Sequence, residues 1–142
     1  SPKTFEHPIV VRPVKGFFSD FNDNAISTYL NYGGERIRLE DPEFEKQFEV
    51  YCDDQITARY VLTPAFMQRL KKLNERHKGQ VYFGINKNNI VIATNEGNSL
   101  MTVGSSPAAM LFQKIDLPMV ESVYRELVEQ LQMIDTLKLV DN

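Results

Sequence analysis

The amphipathic stretch that begins at Pro118 limits the architectures this chain can adopt. Its apolar residues recur at helical spacing and share one face about 100° wide. A helix of about five turns with such a face needs a sheet or another helix to cover it. Strand and helix patterns precede it without regular alternation, so the sequence predicts an α+β fold, with a mainly antiparallel sheet, packed helices and a long amphipathic C-terminal helix. The residues on that face are Val120, Val123, Tyr124, Leu127, Leu131, Ile134 and Leu137.

The composition is that of one soluble globular domain over residues 1–142, with 42% hydrophobic and 25% charged residues. A net charge of −3 argues against a nucleic-acid partner. Cys52 is the single cysteine, which excludes an internal disulfide and a cysteine-based zinc site. No apolar run approaches the roughly 18 residues of a membrane span. Because the chain begins with Ser1 and not with methionine, we expect its first residue to be a domain boundary or a processing point.

Alternation, aromatic runs and turn residues predict the strands. Residues 86–89 are rich in asparagine and predict a hairpin loop, whereas residues 25–32 are ambiguous between strand and helix. Residues 22–24 form a predicted turn. Strands are predicted at residues 14–21, 36–39, 49–52, 81–85, 90–94 and 100–103.

Three helix starts precede the C-terminal stretch. Asp41 and Thr63 are each followed by proline, which predicts an N-cap and a first helical residue. Asp53 is predicted to cap a short helix through residue 60. The helix that opens at Thr63 is predicted to run to about residue 78, with Gly79 as its left-handed stop. In the helix after Asp41, we expect aromatic residues 44 and 48 to face the core together.

The charges form two blocks of opposite sign. Residues 40–54 contain seven acids and one lysine, and residues 59–78 contain six bases and one acid. A divalent-cation site would use the acids, but their spacing favours capping and solvation. A phosphate or anionic-lipid patch would use the bases, yet their scatter around the helix favours a solvated face. No metal site is therefore predicted.

The isolated nucleophiles and bases of this sequence do not predict a catalytic site. His77 lies at the angle of the apolar stripe of its helix and is interpreted as a structural histidine. Cys52 adjoins two aspartates that would raise its pKa, so it is interpreted as a small core or edge residue. Residues 104–107 lack the second glycine of a nucleophile elbow. Neither a phosphate loop nor a dinucleotide fingerprint is present, so no cofactor is predicted.

The stretch RIRLEDPEFEKQFEVYCDDQITARYVLTPAFMQRLKKL, from residue 36 to residue 73, is distinctive. Its LEDP, DDQ, ARY and LTP motifs closely resemble the core of a bacterial family known as domain of unknown function 3137 (DUF3137). The resemblance implies that this chain is a C-terminal domain excised from a larger membrane-associated protein. Hydrophobic helices would precede the domain, and the domain itself would face the cytoplasm. The resemblance also implies LemA-type membrane proteins as candidate partners. It implies no catalytic residue.

The DDQ and ARY motifs contain more charge than helix capping requires. We therefore predict a candidate functional surface there, with a buried Asp–Arg tie as the structural alternative. The leading hypothesis is a non-enzymatic interaction or ligand-sensing domain with a protein partner. The alternatives are a small hydrolase or transferase that uses the two aspartates, and an anionic-lipid headgroup binder that uses the basic helix. The predicted surface comprises Asp53, Asp54, Gln55, Arg59 and Tyr60.

Overall fold

The computed structural model describes residues 5–14, 34–87, 89–94, 98–102, 111–112, 122, 125–126 and 129. Three helices and seven strands have defined bounds there. The helices are α1 (Pro42–Gln47), α2 (Gln55–Val61) and α3 (Pro64–Arg76). The strands are β1 (Phe5–Pro13), β2 (Arg36–Ile37), β3 (Phe48–Cys52), β4 (Tyr82–Lys87), β5 (Asn89–Ala93), β6 (Asn98–Thr102) and β7 (Leu111–Phe112).

The strands form one antiparallel sheet in the order β2-β3-β1-β4-β5-β6-β7. Five strands of five or more residues make up its centre, and a two-residue strand lies at each edge. The predicted α+β class and mainly antiparallel sheet are therefore confirmed. Strand β1 lies between β3 and β4, which are distant from it in sequence.

Strand β1 was not predicted from the sequence. Its central residues Ile9, Val10 and Val11 are all buried, so the run lacks the alternation that identifies a half-exposed strand. The register with β4 shifts between Phe5 and Ile9. Pro8 lies within that irregular stretch, where the missing N–H of proline interrupts the ladder. The strand predicted at residues 14–21 instead begins in a turn at Val14, and its remainder lies outside the described residues.

The predicted helix starts at Asp41 and Thr63 are confirmed. The Asp41 carboxylate accepts from the Phe44 N–H at 3.0 Å, and the Thr63 hydroxyl accepts from the Phe66 N–H at 3.1 Å. Helix α3 ends at Arg76, two residues before the predicted end, and His77 is its C-cap. The left-handed C′ residue is Lys78, with a φ of +57°, and Gly79, predicted for that role, follows it at C″ with a φ of +74°.

Aromatic pairs join the helices to one face of the sheet. Phe44 and Phe48 are both buried, with ring centroids 4.8 Å apart, so they face the core together as predicted. Phe48, however, is the first residue of β3 and not part of the helix. Phe66 on α3 meets Phe83 on β4 edge to face at 5.3 Å. These contacts fix α1 and α3 over the central strands.

The hairpin predicted around residues 86–89 is confirmed with a tighter connection. Asn86 pairs with Asn89, so the strands extend into the predicted four-residue loop. The strand predicted at residues 100–103 is found at Asn98–Thr102 and continues the meander. The strand predicted at 36–39 is shortened to Arg36–Ile37.

Most of the predicted C-terminal helix lies outside the described residues. Ser122, Arg125, Glu126 and Glu129 are helical, and no bounds are defined around them. The predicted turn at 22–24, the ambiguous segment 25–32 and the loop at 104–107 also lie outside. Within the described part of the chain, no helix has the length and apolar character that crossing a bilayer requires.

Candidate functional site

The predicted surface begins where β3 ends and α2 begins. Asp54, and not Asp53, is the N-cap of α2, because β3 continues through Cys52 and Asp53 forms the bend that follows. The Asp54 carboxylate accepts hydrogen bonds from the hydroxyl and, at 3.1 Å, the backbone N–H of Thr57. These hydrogen bonds hold the pKa of Asp54 below its usual value, the hydroxyl contributing most. The prediction that Asp53 caps this helix was wrong.

His7 on β1 contacts both aspartates. Its Nδ1 lies 2.8 Å from the Asp53 carboxylate, and its Nε2 lies 3.9 Å from that of Asp54. The ring thus directs different nitrogens at different carboxylates, which ties β1 to the start of α2. The three groups do not converge on a single point, and no cluster of three such ligands suited to a metal ion occurs among the described residues.

Cys52 lies beneath this loop, fully buried. Its thiol donates to the Asp54 carbonyl oxygen at 3.4 Å. Burial raises the pKa of the thiol, and the two aspartate charges add to the effect. The interpretation of Cys52 as a small core residue is confirmed, although burial outweighs the carboxylates that the sequence emphasised.

The buried Asp–Arg ion pair that was the structural alternative for this segment is not formed. Asp54 is engaged with Thr57, and Arg59 is exposed on α2. Within the described part of the chain, Arg59 makes no ion pair with an acid. Gln55 is also exposed, whereas Tyr60 is half-buried and packs against the core. Of the five predicted residues, α2 thus places Gln55 and Arg59 towards solvent.

Ile56 is a residue of this surface that sequence reasoning missed. Its side chain is 66% exposed, the larger of the two fractions among exposed large hydrophobic residues in the described chain. At 3.6 residues per turn, Ile56 and Arg59 lie about 60° apart on one helical face. The buried residues of α2 are Thr57, Ala58 and Val61, on the opposite face. On a helical wheel of α2, Ile56 lies next to Tyr60 at the edge of the apolar arc, so the sequence does not identify Ile56 as exposed.

Arg59 also borders an open cleft of about 520 Å³. The cleft lies between the segment that leads into α1 and the junction of α2 with α3. Its apolar lining is contributed by Leu39, Pro42, Leu62, Pro64 and Met67. The volume is within the range of roughly 300–1,000 Å³ that is usual for ligand pockets.

The basic helix α3 is partly neutralised by acids from elsewhere in the fold. Arg69 Nε lies 2.9 Å from Glu126, and Lys71 Nζ donates to Asp41 at 3.1 Å. His77 is buried at the C-cap of α3, which agrees with its structural interpretation. Lys72 and Arg76 on α3, and Lys78 directly after it, are also exposed.

The fold and the site together define an α+β domain with an antiparallel sheet, whose predicted surface lies on a short helix beside a mainly apolar cleft. A family model described as a protein of unknown function (DUF3137) matches residues 1–139, so the chain belongs to this family. The family resemblance predicted from residues 36–73 is thereby confirmed. No curated protein and no solved structure matches the chain.

Proposed function

We propose that this DUF3137 domain is an interaction or ligand-sensing domain without catalytic activity, and that the exposed face of α2 is its binding surface. The observation that carries the proposal is the exposure of Ile56 beside Arg59. Protein interaction surfaces contain apolar anchors surrounded by polar groups, and Ile56 with Arg59 beside it fits this arrangement.

The engagement of the two aspartates also supports a binding role. A carboxylate-dependent hydrolase or transferase needs its acids to converge in a cleft. Asp54 is committed to the N-terminus of α2, and Asp53 faces His7. Neither aspartate lines the open cleft beside Arg59.

The lipid-headgroup alternative receives less support from α3. Two of its cations, Arg69 and Lys71, are paired with acids. An anionic-lipid site requires clustered free cations whose attraction falls steeply with salt. Binding of the domain to anionic vesicles in a salt-dependent manner would favour this alternative over the surface on α2.

The family resemblance supports the cellular setting of the proposal. We infer a membrane-associated bacterial protein in which this domain faces the cytoplasm and binds a protein partner, with LemA-type membrane proteins as candidates. The net charge of −3 supports a partner other than nucleic acid.

Site-specific photo-crosslinking tests the proposed surface. A benzoylphenylalanine placed at Ile56 in the full-length protein, expressed in its own cells, should give a discrete crosslinked product after irradiation. The same group at Gln68, which is exposed on α3, is the matched control. A product at residue 56 that is absent at residue 68 is the expected result. No product at residue 56, or equal products at both, would overturn the proposal.

A further inference from the structure

The cleft beside Arg59 is lined by buried apolar side chains and by two prolines at helix starts. Leu62 and Met67 are buried at its floor, and Leu39 is half-buried at its side. Pro42 and Pro64 are exposed, and each is the first residue of a helix. The proline ring fixes the φ angle at both positions, which limits the backbone freedom of the two helix starts beside the cleft.

Asp41 locks one wall of the cleft to helix α3. Its carboxylate accepts from the Phe44 N–H and from Lys71 Nζ, whose side chain is only 14% exposed. Both hydrogen bonds hold the pKa of Asp41 below its usual value, so the group stays ionised and paired with lysine. Asp41 therefore presents no uncompensated charge to a ligand.

Two exposed charges of opposite sign remain on the cleft. Glu40 precedes the helix cap on one side, and Arg59 lies on α2. Within the described ranges, Glu40 and Arg59 form no ion pair, either with each other or with another residue. A ligand in the apolar part of the cleft would therefore meet a free acid and a free base.

We propose that this cleft binds a peptide segment of a partner protein, in which an apolar side chain is flanked by an acidic residue facing Arg59 and a basic residue facing Glu40. The inference rests on the proposed function and names the chemistry of its partner. Met67 suits such a site because its flexible thioether adapts to apolar side chains of different shape. A fatty acyl chain would fill the apolar part, but its anionic head would leave Glu40 without a partner.

Synthetic hexapeptides test the charge requirement directly. Two of the peptides have two central leucines flanked by glutamate on one side and lysine on the other, one peptide for each order of the charges. A third peptide has glutamine at both flanks, and sodium decanoate serves as the acyl-chain probe. Binding is followed through the methyl resonance of Met67 at low salt. We expect one charged order to bind most tightly, the glutamine peptide more weakly and decanoate not to compete.

Charge-reversal variants test whether Arg59 and Glu40 cause the preference for one order of charges in the peptide. Arg59→Glu and Glu40→Lys should each weaken the preferred peptide about 3- to 10-fold, since each replaces an exposed attraction with a repulsion. The double variant Arg59→Glu/Glu40→Lys, which combines both changes, should prefer the peptide with the opposite order of charges. Lys72→Glu is the control, because this exposed α3 residue does not line the cleft. All these positions are exposed, and thermal denaturation verifies that each variant is folded.

Three results would overturn the inference: no peptide shifts Met67, all flanks bind equally, or decanoate alone binds. If one of these three results is obtained and residue 56 still gives a specific crosslink, the proposed binding surface on α2 stands and only peptide binding in the cleft is excluded. Failure of both experiments would exclude the interaction role as well. The order switch in the double variant is the outcome that a merely structural role for these residues would not produce.

Discussion

The side chain of Asn74 accepts a hydrogen bond from the backbone N–H of Val81 at 3.1 Å, and both residues are buried. The same amide donates to Gln47 at 3.1 Å. One side chain thus joins the last turn of α3 to the residue that enters β4 and to the end of α1. The fold of the described core depends on this junction because the Val81 N–H has no access to water.

Asn74→Ala should therefore destabilise the domain by about 1–3 kcal/mol, the usual cost of leaving a buried donor without an acceptor. Urea denaturation gives the free energy of unfolding. Glu75→Ala, at the exposed neighbouring position, is the control and should change stability by less than about 0.5 kcal/mol. Equal effects of the two substitutions would contradict the role assigned to Asn74.

The two adjacent aspartates should differ in their contribution to stability. Asp54→Ala removes the N-cap of α2 and should cost about 0.5–2 kcal/mol. Asp53→Ala removes an exposed contact with His7 and should cost less than about 0.5 kcal/mol. Asp54→Asn keeps a capping oxygen and should recover most of the loss. A larger loss for Asp53 than for Asp54 in urea denaturation would refute this assignment.

Stability should fall as acid protonates Asp41 and Asp54. Both have a pKa below the ordinary value of 3.8 in the folded state, so the unfolded chain binds more protons in this range. Their contribution is complete above the unfolded pKa and is lost as the pH falls from about 4 through the folded values. Urea midpoints measured against pH should show this loss, and Asp41→Asn/Asp54→Asn should flatten it. An unchanged slope in the double variant would be inconsistent with the assignment.

Truncation of two apolar residues, one buried and one exposed, should change the free energy of unfolding by very different amounts. Phe44 is fully buried against Phe48, so Phe44→Ala should cost about 3–5 kcal/mol. Ile56 is 66% exposed, so Ile56→Ala should change stability by less than about 0.5 kcal/mol. Thermal and urea denaturation measure both. A large loss for Ile56→Ala would mean that the side chain supports the fold and is not reserved for a partner.

Cys52 should be unreactive in the folded domain. The thiol is buried, and burial raises its pKa, so little thiolate is available to a reagent. Labelling with iodoacetamide at neutral pH should be slow in buffer and should accelerate with urea along the unfolding curve. Rapid, complete labelling without urea would show that the loop over Cys52 opens readily. Cys52→Ala provides the unlabelled baseline.

Local signals explain what the sequence predicted well. The Thr63–Pro64 start of α3 depends on residues within one turn of the helix end, so the sequence alone specifies it. The stop was predicted one residue late, because Lys78 adopts the left-handed C′ conformation that glycine usually takes. The cap of α2 was misplaced by one residue because either adjacent aspartate satisfies the local pattern. Only the extent of β3, fixed by its pairing with β1, decides between them.

Contacts between distant segments explain what the sequence missed. His7 and Asp53 are 46 residues apart, and no local spacing signals their pairing. The cleft requires residues from three separate segments, including Leu39 and Met67, which meet only after the helices pack. Strand β1 was missed because its central residues Ile9, Val10 and Val11 are all buried and therefore show no alternation.

The central position of β1 has a consequence for how the domain is made. During synthesis, β1 leaves the ribosome before the other described strands, yet β4, its second neighbour in the sheet, begins at Tyr82. At 5–20 residues per second, β1 waits about 4 to 15 s for that partner. Throughout this interval, the apolar residues Ile9, Val10 and Val11 form a nascent segment that chaperones can recognise. The earliest strand to be translated is thus enclosed only after more than half of the domain has been made.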